Sequence, residues 1–209
     1  LSALIANHDA VDYLVTAKAF IDGIVADATA MSYIGLNNYC ANALLADAEW
    51  CTGIANSTYF ESVLNVKIPT MTSNTTPSGE CTQNRTDTPA YYAFDGNSSQ
   101  KWVGITTGEL WVQYSFNSAM LIRKFSFQPC TDTGGALNPV SITIKGANDG
   151  STFTSIKEIT TVENINPQTH IVTETSTAYK DYKFALVHST NVGGNTQMGY
   201  LQIYGRVDV

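Results

Sequence analysis

The sequence predicts an α + β protein in separate segments, with an N-terminal helical repeat stalk over residues 1–65 and a C-terminal antiparallel β-sandwich over residues 66–209. Two observations support this division. All six prolines lie after residue 65, and their absence before it permits helices. Seven of the 18 acidic residues but one of the 11 basic residues lie before residue 66, so the two segments also differ in charge.

The overall composition excludes two classes of partner. Charged residues make up 14% of the chain and the net charge is −7, so the surface lacks the clustered cations that nucleic-acid binding requires. No apolar run approaches the roughly 18 residues of a membrane-spanning helix, so we expect no membrane insertion. Hydrophobic residues make up 44% of the chain, which is enough for a sizeable core.

The first segment repeats when it is written in rows of twenty that begin at Ala6, Ala26 and Ala46. Apolar residues recur in the same columns and at i,i+4 spacing, which predicts helices with one apolar stripe. A thin helix cannot bury such a stripe alone. We therefore expect a stalk that assembles with copies of itself into a homotrimer; the alternative is a monomeric helical hairpin packed on the second segment.

The second segment has the pattern of a β-sandwich. Short alternating or β-branched runs recur about every 8 to 12 residues and are separated by Gly- and Asn-rich turns, as in a sandwich. The clearest runs are residues 110–116, 121–127, 140–144, 182–188 and 200–204. In the last run, Leu201 and Ile203 point one way and Tyr200, Gln202 and Tyr204 point the other. Residues 110–116 and 121–127 are expected to form two consecutive strands.

Several motifs in this segment resemble the discoidin, or coagulation-factor type C, domain that many carbohydrate-binding modules share. In chain order they are AFDG at 93–96, Trp102, WVQY at 111–114, PVSITIKGANDGS at 139–151, YKDYKF at 179–184 and LQIYG at 201–205. The resemblance extends over roughly residues 66–207. It implies an eight-stranded jelly roll that binds ligands with the loops at one end.

The resemblance also implies a Ca²⁺ site near the Asp-Gly turn, where Asp95, Asn97 and Ser99 would supply some of the oxygen ligands together with backbone carbonyls. Family members usually add a Glu near the end of the domain, and Tyr200 occupies that position here. An acidic ligand is therefore missing. The alternative is that Asp95 forms the turn by bonding its own backbone.

Carbohydrate recognition needs flat apolar faces and planar polar groups in a concave place, so aromatic and polar loop residues are the candidate ligand-binding residues. They are Tyr91, Tyr92, Trp102, Asp132, Asn191, Asn195 and Tyr200. The alternative for Trp102 is a place in the core, and the alternative for Tyr91 and Tyr92 is that one is buried and one exposed.

The sequence contains none of the catalytic motifs G-x-S-x-G, H-E-x-x-H or a P-loop, and its three histidines are far apart. We therefore expect no enzyme activity. The four cysteines form no C-x-x-C motif, so a zinc site is not expected. Cys40 and Cys51 are expected to be buried thiols, whereas the pairing of Cys81 with Cys130 stays open.

The helical repeat and the following LNVKIP at 64–69 also resemble bacteriophage tail-fibre proteins, which place short Ala/Ser-rich helical repeats before a discoidin-like tip. This implies a non-enzymatic receptor-binding protein of the virion tail or fibre, facing outwards. Its partners would be a host cell-surface carbohydrate, copies of itself and other virion proteins. The alternative is a structural virion component or decoration protein whose jelly roll binds no ligand.

Overall fold

A computed structural model describes residues 2–84, 87–105, 109–131, 135–160, 165–187 and 195–207. Within these ranges the helices are α1 (Ser2–Ile5), α2 (His8–Thr16), α3 (Ile21–Val25), α4 (Ala28–Leu36), α5 (Asn38–Ala46) and α6 (Ala48–Asn56). Single 3-10 turns cover Lys18–Phe20, Phe60–Ser62 and Ala90–Ala93. The strands are β1 (Val66–Lys67), β2 (Glu80–Gln83), β3 (Trp102–Ile105), β4 (Leu110–Gln128), β5 (Ser141–Ala147), β6 (Thr154–Thr160), β7 (Gln168–Ile171), β8 (Tyr179–Val187), β9 (Asn195–Met198) and β10 (Tyr200–Val207).

The helical segment repeats every ten residues, so each predicted row of twenty contains two units. The first residue of most units is an Asn or Asp in extended conformation whose side chain accepts from a backbone N–H of the next helix. Because an extended residue cannot continue a helix, no α-helix in the described segment exceeds nine residues. Counting from Asn7 as position 1, position 8 holds an aliphatic side chain in each unit: Leu14, Ile24, Ile34, Leu44, Ile54 and Leu64.

These short helices wind into a superhelix with three units per turn. Most consecutive helices contact each other, and helices three units apart also make contact, as α2 with α5 and α3 with α6. Side chains one turn later bond a carbonyl at the end of each of the first three helices. Asn37 Nδ2 donates to Ile5 O at 2.9 Å, Trp50 Nε1 donates to Val15 O at 3.2 Å, and Ser57 Oγ donates to Val25 O. The apolar positions are thus buried between successive turns, as in a solenoid.

This architecture differs from the elongated stalk that we expected. The predicted apolar stripe packs within one chain, and the position-8 residues from Ile34 onwards are buried there. The cause is the extended capping residue that begins most of the ten-residue units, because it ends each preceding helix before a long helix can form. The alternative of helices packed on the second segment is closer to the structure. No single described helix is both long and apolar enough to cross a bilayer. The segments Lys18–Val25 and Ala28–Leu36 are long and apolar enough only when they are taken together, and the chain bends by 106° between them.

The second segment is an antiparallel β-sandwich, as predicted. The order of the main sheet is β1-β10-β4-β8-β5-β6, with β2 and β7 also paired to β4, and β3 pairs with β9. The two strands predicted over residues 110–127 are one strand, β4. Its first half pairs with β8 and its second half with β10, with a register shift between Ser115 and Met120. Cys81 and Cys130 are both buried and form no disulfide, and the same holds for Cys40 and Cys51.

Side chains of the sandwich cap the C-terminal end of the superhelix. Arg206 on β10 donates to Val63 O at 3.0 Å, to Gly35 O at 2.9 Å and to Asn38 Oδ1 at 2.5 Å. Lys124 on β4 donates to Ala55 O at 2.8 Å. Gly35 and Ala55 hold the same position in their units as Val15 and Val25, so the sandwich supplies the donors that a further helical turn would have supplied.

Candidate functional site

The Asp-Gly turn closes on itself. After the 3-10 turn Ala90–Ala93, Asp95 Oδ1 accepts from Asn97 N at 2.8 Å, and Asn97 Oδ1 accepts from Ser99 N at 3.0 Å. Gly96 has φ +65°, a left-handed conformation that favours glycine. Two of the three side chains predicted to bind Ca²⁺ therefore accept hydrogen bonds from the turn itself.

One carboxylate oxygen at this turn has no partner. Asp95 is buried, its Oδ2 lacks a hydrogen bond, and burial raises the pKa of the carboxyl. Asn97 and Ser99 are exposed, and the described residues include no group of three or more acidic, His or Cys side chains that could hold a metal. Calcium takes six to eight oxygen ligands. A single free carboxylate oxygen, with Tyr200 in the place of the second acid, falls short of that number, so the side chains of the turn complete such a site only together with backbone carbonyls.

A groove lies beside this turn on the outer face of strands β4, β7 and β10. It encloses about 360 Å³ and is lined by Gly96, Ser126, Gln128, Gln168, Tyr200 and Gln202. Side chains alternate between the two faces of a strand. Because Phe125, Phe127, Leu201 and Ile203 point into the core, their neighbours Ser126, Gln128, Tyr200 and Gln202 face outwards. Gln128 and Tyr200 are directly paired in the β4–β10 ladder. The groove therefore presents an aromatic ring beside several carboxamides.

A second cavity, of about 430 Å³, shares the wall residue Gln128 with the first. Residues 98–101, Cys130 and Thr131 form its other walls. Lys101 Nζ donates to Gln197 Oε1 at 3.2 Å, and the Cys130 thiol reaches the same oxygen at 3.6 Å. The backbone of Cys130 is fixed by both ends of the Asn138 amide, at 2.8 and 3.0 Å. We call these two neighbouring cavities, which share Gln128, the Tyr200–Lys101 cleft.

The predicted ligand-binding residues fall in different places. Tyr200 lines the cleft. Tyr91 and Tyr92 pack edge to face with centroids 4.8 Å apart against the core, and neither they nor Asn195, which pairs with Ile105, line its cavities. Asp132 and Asn191 lie outside the described residues.

Trp102 does not present its ring to a ligand, so that prediction is wrong. The ring is fully buried and its Nε1 donates to Gln83 Oε1 at 2.6 Å. Three of the four residues of β3 are buried, which means that both faces of this short strand are covered.

Comparison with known domains fits this architecture. The family model of the F5/8 type C domain matches residues 70–197. The chain belongs to the F5/8 type C domain family. The discoidin resemblance seen in the sequence is thereby confirmed. No curated protein matches the chain significantly.

Solved structures of F5/8 type C domains share the fold at low identity. A carbohydrate-binding module of Clostridium perfringens, in complex with GalNAc-β-1,3-galactose, is 17% identical with a TM-score of 0.53; the match covers 60% of this chain and 94% of that one. The family 32 module of C. perfringens NanJ, in complex with galactose, is 19% identical with a TM-score of 0.50, covering 61% and 92%. An F5/8 type C domain of Bacteroides fragilis is 15% identical with a TM-score of 0.51, covering 62% and 92%. The sandwich thus has the fold of carbohydrate-binding modules.

Proposed function

We propose that this F5/8 type C domain binds a carbohydrate in the Tyr200–Lys101 cleft. The observation that carries the proposal is the convergence there of an aromatic ring, several carboxamides and one ammonium in a concave place. Sugars present an apolar C–H face and a rim of hydroxyls, and such a set complements both. Two domains of the same fold are described in complex with galactose-containing sugars, which supports the ligand class.

Each side chain has a distinct role in this proposal. Tyr200 stacks on the apolar face of a sugar ring. Gln128 and Gln202 bond hydroxyls, since each amide offers both a donor and an acceptor. Lys101, steadied by Gln197, donates to a hydroxyl or a carboxylate in the second cavity. The two cavities fall in the roughly 300–1,000 Å³ range of small-molecule sites.

The wider role we propose is host attachment as a non-enzymatic receptor-binding protein of a phage tail fibre. Several copies on one particle would raise avidity by about 10²–10⁴ over a single weak site. The homotrimer, the virion partners and the outward-facing position belong to this proposal. The low content of charged side chains, 14%, is in keeping with an extracellular surface.

The test is binding of the intact protein to an array of neutral and carboxylated bacterial glycans. We expect saturable binding that Tyr200→Ala weakens about tenfold or more, as truncation of a buried aromatic contact usually does. The matched control is Tyr13→Ala, because Tyr13 is 71% exposed on the helical segment. If a folded protein binds no glycan, or if both variants lose binding equally, the proposal fails and a structural virion role replaces it.

A further inference from the structure

A groove between two turns of the superhelix lies apart from the cleft in the sandwich. It encloses about 780 Å³ between α3 and α6, a volume within the roughly 300–1,000 Å³ range of small-molecule sites. The half-buried side chains of Ile21 and Val25 give it an apolar wall. Its exposed polar side chains are Asp22, Glu49, Thr52 and Asn56.

The corresponding groove between α2 and α5 is filled by a tyrosine of the chain itself. The ring of Tyr39 stacks on the ring of His8 with centroids 3.7 Å apart, and its hydroxyl donates to Asp12 Oδ1 at 2.9 Å. Tyr39 is at position 3 of its ten-residue unit, and His8 and Asp12 are at positions 2 and 6 of theirs. The repeat thus shows how one six-membered ring with a hydroxyl group fits between two turns.

The α3–α6 groove keeps the carboxylate of this arrangement but lacks the ring. Its positions 2 and 6 are Lys18 and Asp22, and Glu49 stands at position 3 in place of a tyrosine. Lys18 pairs with Asp47. Within the described residues, neither Asp22 nor Glu49 forms an ion pair, so the groove carries an excess of negative charge.

We propose that the α3–α6 groove binds an amino sugar, whose ring lies between the two turns with a hydroxyl on Asp22 and its ammonium on Glu49. The ring then takes the place that a tyrosine takes between α2 and α5. A sugar also offers further hydroxyls to the side chains of Thr52 and Asn56, which a phenol does not. The ammonium complements the two carboxylates.

The test is an NMR titration of the intact protein with glucosamine at pH 6.5, where its amine is protonated. N-acetylglucosamine is the matched neutral sugar. We expect saturable shifts of the Gly53, Thr52 and Asn56 amides, with N-acetylglucosamine binding about threefold more weakly, the scale of one exposed ion pair. Glu49→Gln should remove this difference between the two sugars. The control Asp9→Asn removes an exposed carboxylate of α2 outside the groove and should preserve the difference.

A second variant, Glu49→Tyr, rebuilds the arrangement of Tyr39, so its ring should fill the groove and abolish the shifts. Its melting temperature shows whether the fold is intact, and Glu49→Gln carries the test if it is not. Binding of glucosamine by a folded Glu49→Tyr variant as by wild type would overturn the proposal. Equal affinity of wild type for the two sugars, tighter binding of tyramine than of glucosamine, or no saturable shift in the groove would overturn it too. Shifts confined to Tyr200 and Gln128 would also contradict it, since the sugar would then lie in the cleft.

Discussion

Arg206 holds the helical superhelix to the sandwich, and its removal gives a defined loss of stability. The side chain is 3% exposed and donates to two backbone carbonyls, those of Val63 and Gly35, and to the Asn38 side chain. Hydrogen bonds from a charged donor contribute roughly 1.5–3 kcal/mol each. Burial of the guanidinium, which lowers its pKa and leaves Nε without a partner, offsets part of this.

For Arg206→Met we therefore expect a loss of about 3 kcal/mol in the free energy of unfolding. At roughly 2–4 °C per kcal/mol for a chain of this length, the melting temperature should fall by about 10 °C. Differential scanning calorimetry measures this fall. The melting temperature of Arg206→Lys should lie between those of wild type and Arg206→Met, because one ammonium cannot reach all three acceptors. The surface control Lys67→Met, which loses the exposed pair with Glu61, should change stability by less than about 1 kcal/mol. A melting temperature for Arg206→Met within the error of wild type would refute the coupling of the two segments through this residue.

Three further predictions address the helical units and the Asp-Gly turn. Gly35→Ala should unfold or severely destabilise the protein in urea titrations, because a Cβ there would lie 1.8 Å from Ser62 O. Gly23→Ala should instead raise the free energy of unfolding by up to about 1 kcal/mol through helix propensity, since nothing lies within 4 Å of the added Cβ. Burial raises the pKa of Asp95, so its charged carboxylate destabilises the fold above that pKa, and this penalty disappears as the pH falls towards the ordinary value of 3.8. The melting temperature of wild type relative to Asp95→Asn should therefore rise on acidification. A difference in melting temperature that does not depend on pH would contradict this. Millimolar Ca²⁺ should leave the melting temperature at pH 7 unchanged, and a rise that Asp95→Asn abolishes would show that the turn holds the ion after all.

The sequence contains most of the local information for the helical segment but not its winding. The position-8 aliphatic residues and the Asp and Asn caps can be recognised in the sequence. Ala17, however, carries no capping side chain, so the sequence matches a repeat of twenty residues better than one of ten. Three units per turn depends on bonds such as Trp50 to Val15, between residues far apart in the chain. A pattern within one window cannot show such pairings.

The candidate site was predictable only in part. The alternation in β10 puts Tyr200 on the outer face, and the structure confirms this. Lys101 and Gln128 were missed because the cleft depends on the β4–β10 register and on the contact of Lys101 with Gln197. Trp102 was wrongly placed in the site because a tryptophan beside a loop is expected to be exposed. Its burial becomes evident only when the pairing of β3 with β9 is known.

The most direct test of carbohydrate binding in the cleft is an NMR titration of the intact protein with the best glycan from the array. The account predicts saturable amide and side-chain shifts at Tyr200, Gln128 and Lys101, with the signals of Tyr91, Tyr92 and Asn195 little changed. Shifts concentrated at those last three residues, or no saturable shift anywhere, would contradict it.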